Sequence, residues 1–261
     1  MPKVFRMMDI VTYSPEMDKL EDAGFEQDLD YYLDSIQVVT SRFKSDAKKG
    51  LFFAAKGGHN AEHHNHNDVG NFIVYKNGTK FLIDSGNMQY RKETFGELRY
   101  TLRSTRSAYH NVPMIGGTEQ KDGREFAAKN AKYENTGEKT LFSLDIADAY
   151  PEKTIEKWVR TFEYDKPGQA IKVTEDFVLN KESEYSLIFL TPQKVERNGN
   201  TVLLSAENGE TLEIAFNRDF DFEVETVECE DHISIANWGE RFYRISIKSK
   251  AKSDKITYTI K

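Results

Sequence analysis

The chain has 261 residues, of which 38% are hydrophobic and 30% charged, a formal net charge of −7 and a mean hydropathy of −0.66. That size suits one large domain or two small ones, because a β-sandwich runs to roughly 200 to 250 residues as a single unit. No apolar run approaches the roughly 18 residues of a spanning helix, which excludes membrane insertion, and the acidic balance argues against nucleic acid, whose partners bind through positive fields. Met1-Pro2-Lys3-Val4-Phe5-Arg6 lacks the apolar stretch of a signal peptide. The single Cys229 excludes an internal disulfide and reads as a small buried apolar residue.

In chain order, residues 1–30 are polar, with acids gathered between Glu16 and Asp34, and read as an arm or edge preceding one domain over 31–261. Tyr32 to Thr40 and Leu51 to Ala55 are rich in β-branched and aromatic residues, which predicts two strands. Asn77-Gly78 is a type I′ hairpin signal, since both residues tolerate positive φ. A two-residue loop there sets Phe72 opposite Ile83 and Val74 opposite Phe81, with Ile73 beside Leu82 on the other face. Both faces are then apolar, which predicts a central place in a sheet covered on both sides. The same register puts Asp84 opposite Asn71, at the open end of the hairpin.

Between Lys92 and Ser104, the spacing of Phe95, Leu98 and Leu102 predicts one or two short helices. The stretch from Gln89 to Arg106 holds Arg91, Lys92, Arg99, Arg103 and Arg106 against Glu93 and Glu97, a local excess that attracts anions. Asn198-Gly199 and Asn208-Gly209 predict two more hairpins. Clean alternation over 242–248 and 256–260 predicts strands. The fold class is therefore all-β: an antiparallel sandwich of two packed sheets with one or two short helices.

Four of the six histidines, His59, His63, His64 and His66, fall between Gly58 and Asp68. In an extended chain, His64, His66 and Asp68 project to one side. Imidazole and carboxylate are ordinary ligands of divalent ions, so this segment is either part of a metal site or a solvated Asn/His-rich turn. A second polar cluster runs from Ser107 to Pro113, followed by Gly116-Gly117 and Gln120. Alone, His110 reads as a hydrogen-bonded loop histidine and Asp84 as a turn cap. Together they weigh more, because an Asp at the end of a central strand needs a charge partner, and a cation shared with histidines supplies one.

The run His64-Asn65-His66-Asn67-Asp68-Val69-Gly70-Asn71-Phe72, then Phe81-Leu82-Ile83-Asp84-Ser85-Gly86, then Tyr109-His110-Asn111 and Gly116-Gly117-Thr118-Glu119-Gln120, resembles the β-sandwich domain of heparinase II/III-like polysaccharide lyases. In that family the sandwich follows a helical toroid, with the substrate cleft between them. Nothing in this chain offers the toroid's helices, so the C-terminal domain alone is expected. The resemblance implies that His66, Asp84 and His110 hold one divalent metal ion, zinc first among candidates, and that His64 is the catalytic histidine facing the cleft. Gly70 would supply the bend that turns His66 away from simple alternation. Asp68 becomes a hydrogen-bonding support for a ligand or its loop, and His59 and His63 match nothing.

The chemistry implied is β-elimination at a uronic acid. The C5 proton becomes acidic once the neighbouring carboxylate is neutralised, a base removes it, and the C4 oxygen leaves. The resemblance puts the key tyrosine in the toroid, so the isolated chain is expected to have little or no activity. Arg103 and Arg106 either form an acidic-sugar face or pair with surface acids; Tyr109, Asn111 and Gln120 complete the substrate-binding set. The expected partners are an acidic polysaccharide and the toroid. The resemblance favours a bacterial periplasm or envelope and leaves the cytoplasm open. A non-catalytic carbohydrate-binding module and a cupin-like metal enzyme are the other readings.

Overall fold

The protein is seen in a computed structural model that describes residues 28–86, 88–96, 98–151 and 155–261. The expected N-terminal arm lies outside the described residues as far as residue 27. The stretch from Tyr32 to Thr40, read as one strand, is a hairpin instead. Gln37 adopts a left-handed φ of 52°, so the chain reverses and β1 (Asp30–Leu33) pairs antiparallel with β2 (Val38–Arg42), Tyr32 opposite Val39. β3 (Leu51–Lys56) follows, then the short β4 (His59–Asn60), and then the hairpin of β5 (Phe72–Lys76) and β6 (Thr79–Leu82). The first sheet has the order β1-β2-β3-β5-β6.

The second sheet is larger. β7 (Pro113–Ile115) lies on its flank, and β8 (Gly123–Ala127) leaves to make a ribbon with β4. β9 (Lys129–Asn135), β10 (Lys139–Asp145), β11 (Ile155–Asp165), β12 (Ala170–Thr191), β13 (Lys194–Asn198), β14 (Thr201–Ser205), β15 (Thr211–Phe216), β16 (Asp221–Glu228) and β17 (Arg241–Ile260) complete it. Its order is β13-β14-β15-β17-β12-β11-β10-β9, with β16 on β17 and β7 on β12. Alternation places Phe142, Phe162 and Val173 on one face, where they meet Phe53 and Phe72 of the first sheet. The Phe162 ring lies 4.9 Å from Phe53 and 5.2 Å from Phe72. The sandwich is thus an all-β, antiparallel one, as the sequence pattern predicts. Among the described residues no helix is long and apolar enough to cross a membrane.

The first hairpin departs from its expected register. Asn77 and Gly78 have φ of 51° and 78°, and Lys76 faces Thr79 across the two-residue loop. Between Val74 and Tyr75 the register shifts, so Val74 faces Leu82 rather than Phe81. The extra residue lets Phe81, Leu82 and Ile83 all be fully buried. β6 is also the last strand of its sheet, not a central one. What covers its end is the other sheet: the Ile83 N–H donates to the Leu190 carbonyl of β12 at 2.9 Å. The later turns shift too, with Gly199-Asn200 forming the loop between Asn198 and Thr201, and Asn208-Gly209 lying within a longer link between Ser205 and Thr211.

The expected helix over 92–104 is absent. Short 3-10 turns stand at Lys92–Phe95, Arg99–Thr101, Arg103–Thr105 and Ser107–Tyr109, and Phe95 and Leu98, meant for a buried face, are 64% and 57% exposed. The α-helix among the described residues, α1 (His232–Trp238), is instead set by its cap: Asp231 Oδ1 accepts from the N–H groups of Ile233 and Ser234 at 3.0 and 3.1 Å. Cys229 is buried, as read.

A buried ion pair ties the layers together. Arg160 of β11 donates through Nε to Glu175 Oε1 of β12 at 2.8 Å, while Glu175 also accepts from Trp158 Nε1 at 2.7 Å and from the Tyr258 hydroxyl at 3.1 Å. Arg160 Nη1 donates to the carbonyls of Gly70 and Asn111 at 2.7 and 2.6 Å. Replacing Arg160 by Met is expected to cost about 3–5 kcal/mol, because Glu175 is left charged and buried; urea denaturation of the two proteins measures it. A second test concerns Asp30, bonded to Lys166, Ser41 and Thr140. Burial alone would raise its carboxyl, but those bonds hold it below the usual range. The contribution is therefore complete above the unfolded value of about 3.9 and is lost as pH falls through the native one. Asp30→Asn is expected to lower stability at neutral pH and to flatten the acid limb of the stability curve.

Candidate metal centre and adjoining groove

Asp84 comes directly after Ile83, whose bond to Leu190 fixes where the strand ends. The turn that follows requires Gly86: its φ is 73°, and a Cβ there would sit 3.0 Å from Trp238 Nε1. The Gly86 N–H donates to Asp84 Oδ1 at 2.8 Å. His110 closes the series of 3-10 turns and is fully buried. Its Nδ1 lies 2.7 Å from Asp84 Oδ2 and its Nε2 lies 3.0 Å from the Ser104 carbonyl. His66 arrives from the other side, with Nδ1 4.0 Å from Asp84 Oδ1 and its ring 5.2 Å from that of His110. Within the described residues this is the group of three able to hold a metal ion, its ligand atoms all within 4.8 Å of one another.

The chemistry of the donors fits a cation. A carbonyl accepts only, so His110 Nε2 carries a proton, and Nδ1, which donates to Asp84 Oδ2 while the ring is protonated, offers its lone pair to a cation once that proton leaves. Two imidazoles and a carboxylate suit zinc and similar ions. Tetrahedral zinc ligands stand about 3.3 Å apart, so His66 needs to close by about an ångström. Burial would raise the Asp84 carboxyl, but His110, His66 and the Gly86 N–H together hold it well below the usual carboxylate range. Burial would lower His110, yet the charge and hydrogen bond of Asp84 raise it, so a metal ion binding here displaces a proton from Nδ1. Burial and the neighbouring His110 push His66 down, against the pull of Asp84 and Asp68, which favours a neutral ring able to ligate.

The loops are held by side chains buried beneath them. Asn71 donates to Asp84 Oδ2 at 2.6 Å and accepts the Asn111 N–H at 2.8 Å. The sequence analysis assigns no role to Asn71 or Ser104, although the expected hairpin register sets Asn71 opposite Asp84. Asp68 supports the loop and not a ligand: its Oδ1 accepts from Lys56 Nζ at 2.7 Å, and its N–H donates to Asn60 at 3.2 Å. Asn67 N–H donates to the Thr105 carbonyl at 2.9 Å, joining the two ligand loops.

The alternation that grouped His64, His66 and Asp68 fails, because His64 itself has a left-handed φ of 58°. The turn away from alternation is therefore made at His64, not at Gly70, which comes after His66. His64 is exposed, its ring 6.4 Å from Tyr90 and 6.1 Å from Phe95. With His66, Tyr90, Thr94 and Arg99 it lines a groove of about 60 Å³.

The expected substrate-binding residues divide. Arg103 lies 3.8 Å from Glu230 and over the Phe242 ring, and Arg106 forms a bidentate pair with Glu119, Nε to Oε1 at 3.1 Å. Both take the ion-pair reading. Tyr109 packs against the cluster around Ile83. Asn111 and Gln120 are both buried and their polar atoms are engaged by neighbours. Asn111 Nδ2 donates to the carbonyls of Phe72 and Ile83 at 2.7 and 2.9 Å, and its Oδ1 accepts the Leu190 N–H at 2.7 Å. Gln120 exchanges two bonds with the Val69 backbone, at 2.9 and 2.8 Å. They build the loops and present no atom to a sugar. Arg99 donates to the carbonyls of Thr94 and Asn65. His59 Nδ1 accepts the Ala61 N–H at 3.1 Å, and His63 lines the outer rim of the groove.

Residues 41–261 match the family described as "Heparinase II/III-like, C-terminal". Among solved structures, the heparan sulfate lyase HepC from Pedobacter heparinus is similar, with a TM-score of 0.72 at 13% identity over 90% of this chain and 36% of that one. A heparinase III gives 0.68 at 15% identity over 89% and 35%, and another gives 0.66 at 18% over 88% and 36%. At such identities the likeness is one of fold. The chain spans about a third of the length of these lyases. No curated protein matches it. His66→Ala and Asp84→Asn are each expected to reduce bound zinc from about one equivalent to a small fraction, measured by elemental analysis after dialysis, whereas His59→Ala leaves it unchanged.

Proposed function

Since the chain belongs to the heparinase II/III-like C-terminal domain family, we propose that it is the β-sandwich part of a polysaccharide lyase that cleaves uronic-acid-containing glycans by β-elimination. In this reading it supplies a structural zinc site and one wall of the substrate cleft, and a helical toroid supplies the other. The observation that carries it is the convergence of His66, Asp84 and His110 at the rim where the sheets meet, with His64 on the same loop turned outward into the groove. A bound cation would offset the Asp84 charge and lock the loops of His64 and His110.

His64 is the catalytic residue of this wall. Its imidazole meets the uronate beside C5, where it either donates to the carboxylate or takes the C5 proton. Tyr90 and Phe95, 57% and 64% exposed, flank it and offer ring faces to a sugar. Elimination also needs a proton for the C4 oxygen, and that donor belongs to the opposite wall. The isolated chain is accordingly inactive or nearly so.

Elimination leaves an unsaturated uronide that absorbs ultraviolet light, so the assay is direct. His64→Ala in the complete protein is expected to lower kcat by about 10²- to 10⁴-fold while zinc content stays the same. Robust absorbance from the 261-residue chain alone overturns the need for a second wall. Cleavage without absorbance overturns elimination, and retention of intact glycan with no product points to a binding module.

A further inference from the structure

We propose that the outer face of the five-stranded sheet carries a second site for an acidic sugar, in the recess between the β2–β3 turn and the rings of Phe52 and Tyr75. The choice of ligand class rests on the proposed function; the site rests on residues the lyase chemistry does not use. Arg42, Phe52 and Tyr75 are cross-strand neighbours in one row of β2, β3 and β5. The two rings stand 5.9 Å apart at 64°, and the Arg42 guanidinium lies 4.9 Å over Phe52. With Lys44 and Lys49 from the turn they enclose about 160 Å³, room on the scale of one sugar ring.

Charge singles this recess out. Its lining sets Lys44 and Lys49 beside one carboxylate, Asp46, with Arg42 stacked on the Phe52 ring, in a chain whose net charge is −7. Asp46 sits 3.3 Å from Lys49 in a pair open to solvent, so it engages one cation weakly. Partly exposed aromatic faces beside cations match a uronate: the apolar face of the pyranose lies on a ring, and the carboxylate or sulfate meets the Lys44 and Lys49 ammonium groups.

The recess is built and not a chance of side-chain placement. Gly50 has a φ of 72°, and a Cβ there would meet Phe43 Cδ1 at 2.6 Å. Its N–H donates to Asn77 Oδ1 at 2.8 Å and its carbonyl accepts the Asn77 N–H at 3.0 Å, which fastens the β2–β3 turn to the tip of the β5–β6 hairpin. The triad lies at the opposite, open end of that hairpin. From Tyr75 to Asn71 is four residues of strand, about 13 Å, too far for one sugar to occupy both places. A polymer held here keeps its acidic chain near the groove after each cut, by raising its effective concentration.

The test is a titration of the isotope-labelled full chain, followed by amide NMR, with a glucuronate hexasaccharide and, separately, a glucose hexasaccharide. The acidic sugar is expected to shift amides of residues 42–52 and of Tyr75, and the neutral one to do so at least tenfold more weakly. Lys44→Glu with Lys49→Glu, both exposed and outside the lyase groove, should weaken that binding tenfold or more. Shifts confined to the His64 groove, equal response to both sugars, or an unchanged double variant would overturn the second site. None of those results touches the lyase reading, which stands or falls on the ultraviolet product of the complete protein and its loss in His64→Ala.

Discussion

The structure depends on one buried cation. Arg160 is 1% exposed and its partner Glu175 fully buried, and an ion pair so placed is costly unless every donor and acceptor is met. Here the remaining valences of Glu175 go to Trp158 and Tyr258, and those of Arg160 go to the backbone at Gly70 and Asn111. These two carbonyls belong to the segments that carry His66 and His110. The guanidinium therefore sets the spacing of two loops that are some forty residues apart in the sequence, using the larger sheet as its platform. A hydrophobic residue of similar size would fill the volume but leave both carbonyls without a donor.

Asn111 extends the same logic sideways. Its side chain bonds Phe72 and Ile83 in one sheet and Leu190 in the other, and its backbone bonds Asn71 and Arg160. Together with the bond from Ile83 to Leu190, this welds the edge strand of the small sheet to β12. Asp84 is the next residue after that weld. An Asp at a free strand end would swing into water; at this one it is held against His110 before any cation arrives, so the ligands lose little freedom on binding.

The class of fold was legible in the sequence because it has a short-range signature: alternation marks the long strands and Asn-Gly the first hairpin. Imidazole and carboxylate by spacing alone grouped His64, His66 and Asp68, and the set His66, Asp84 and His110 came from the resemblance. The sequence did not reveal what depends on long-range pairing. The bulge after Val74 is paid for by burial of Phe81, Leu82 and Ile83, which no local pattern specifies. The helix expected over 92–104 gave way to 3-10 turns whose carbonyls are met by side chains: Arg99 on Thr94, Thr105 on Arg99 and Leu102, Ser85 and His110 on Ser104. Asn111, next to His110, and Gln120, further along the chain, are buried and bond to the loop backbone, which no local pattern announces. Sequence nearness to a site does not separate residues that face a ligand from residues that hold the ones that do.

The arginines carry that distinction to its functional end. Arg99, Arg103 and Arg106 give the segment its positive excess in sequence, yet Arg99 caps two carbonyls, Arg106 is closed by Glu119, and Arg103 leans on Phe242 toward Glu230. Around His64 the surface presents the rings of Tyr90 and Phe95. Aromatic faces select the shape of a sugar ring and are indifferent to its charge. On the lyase reading, the labour then divides by physics: this face fixes the ring and its C5 hydrogen against one imidazole, while neutralisation of the substrate's carboxylates falls chiefly to groups on the facing wall.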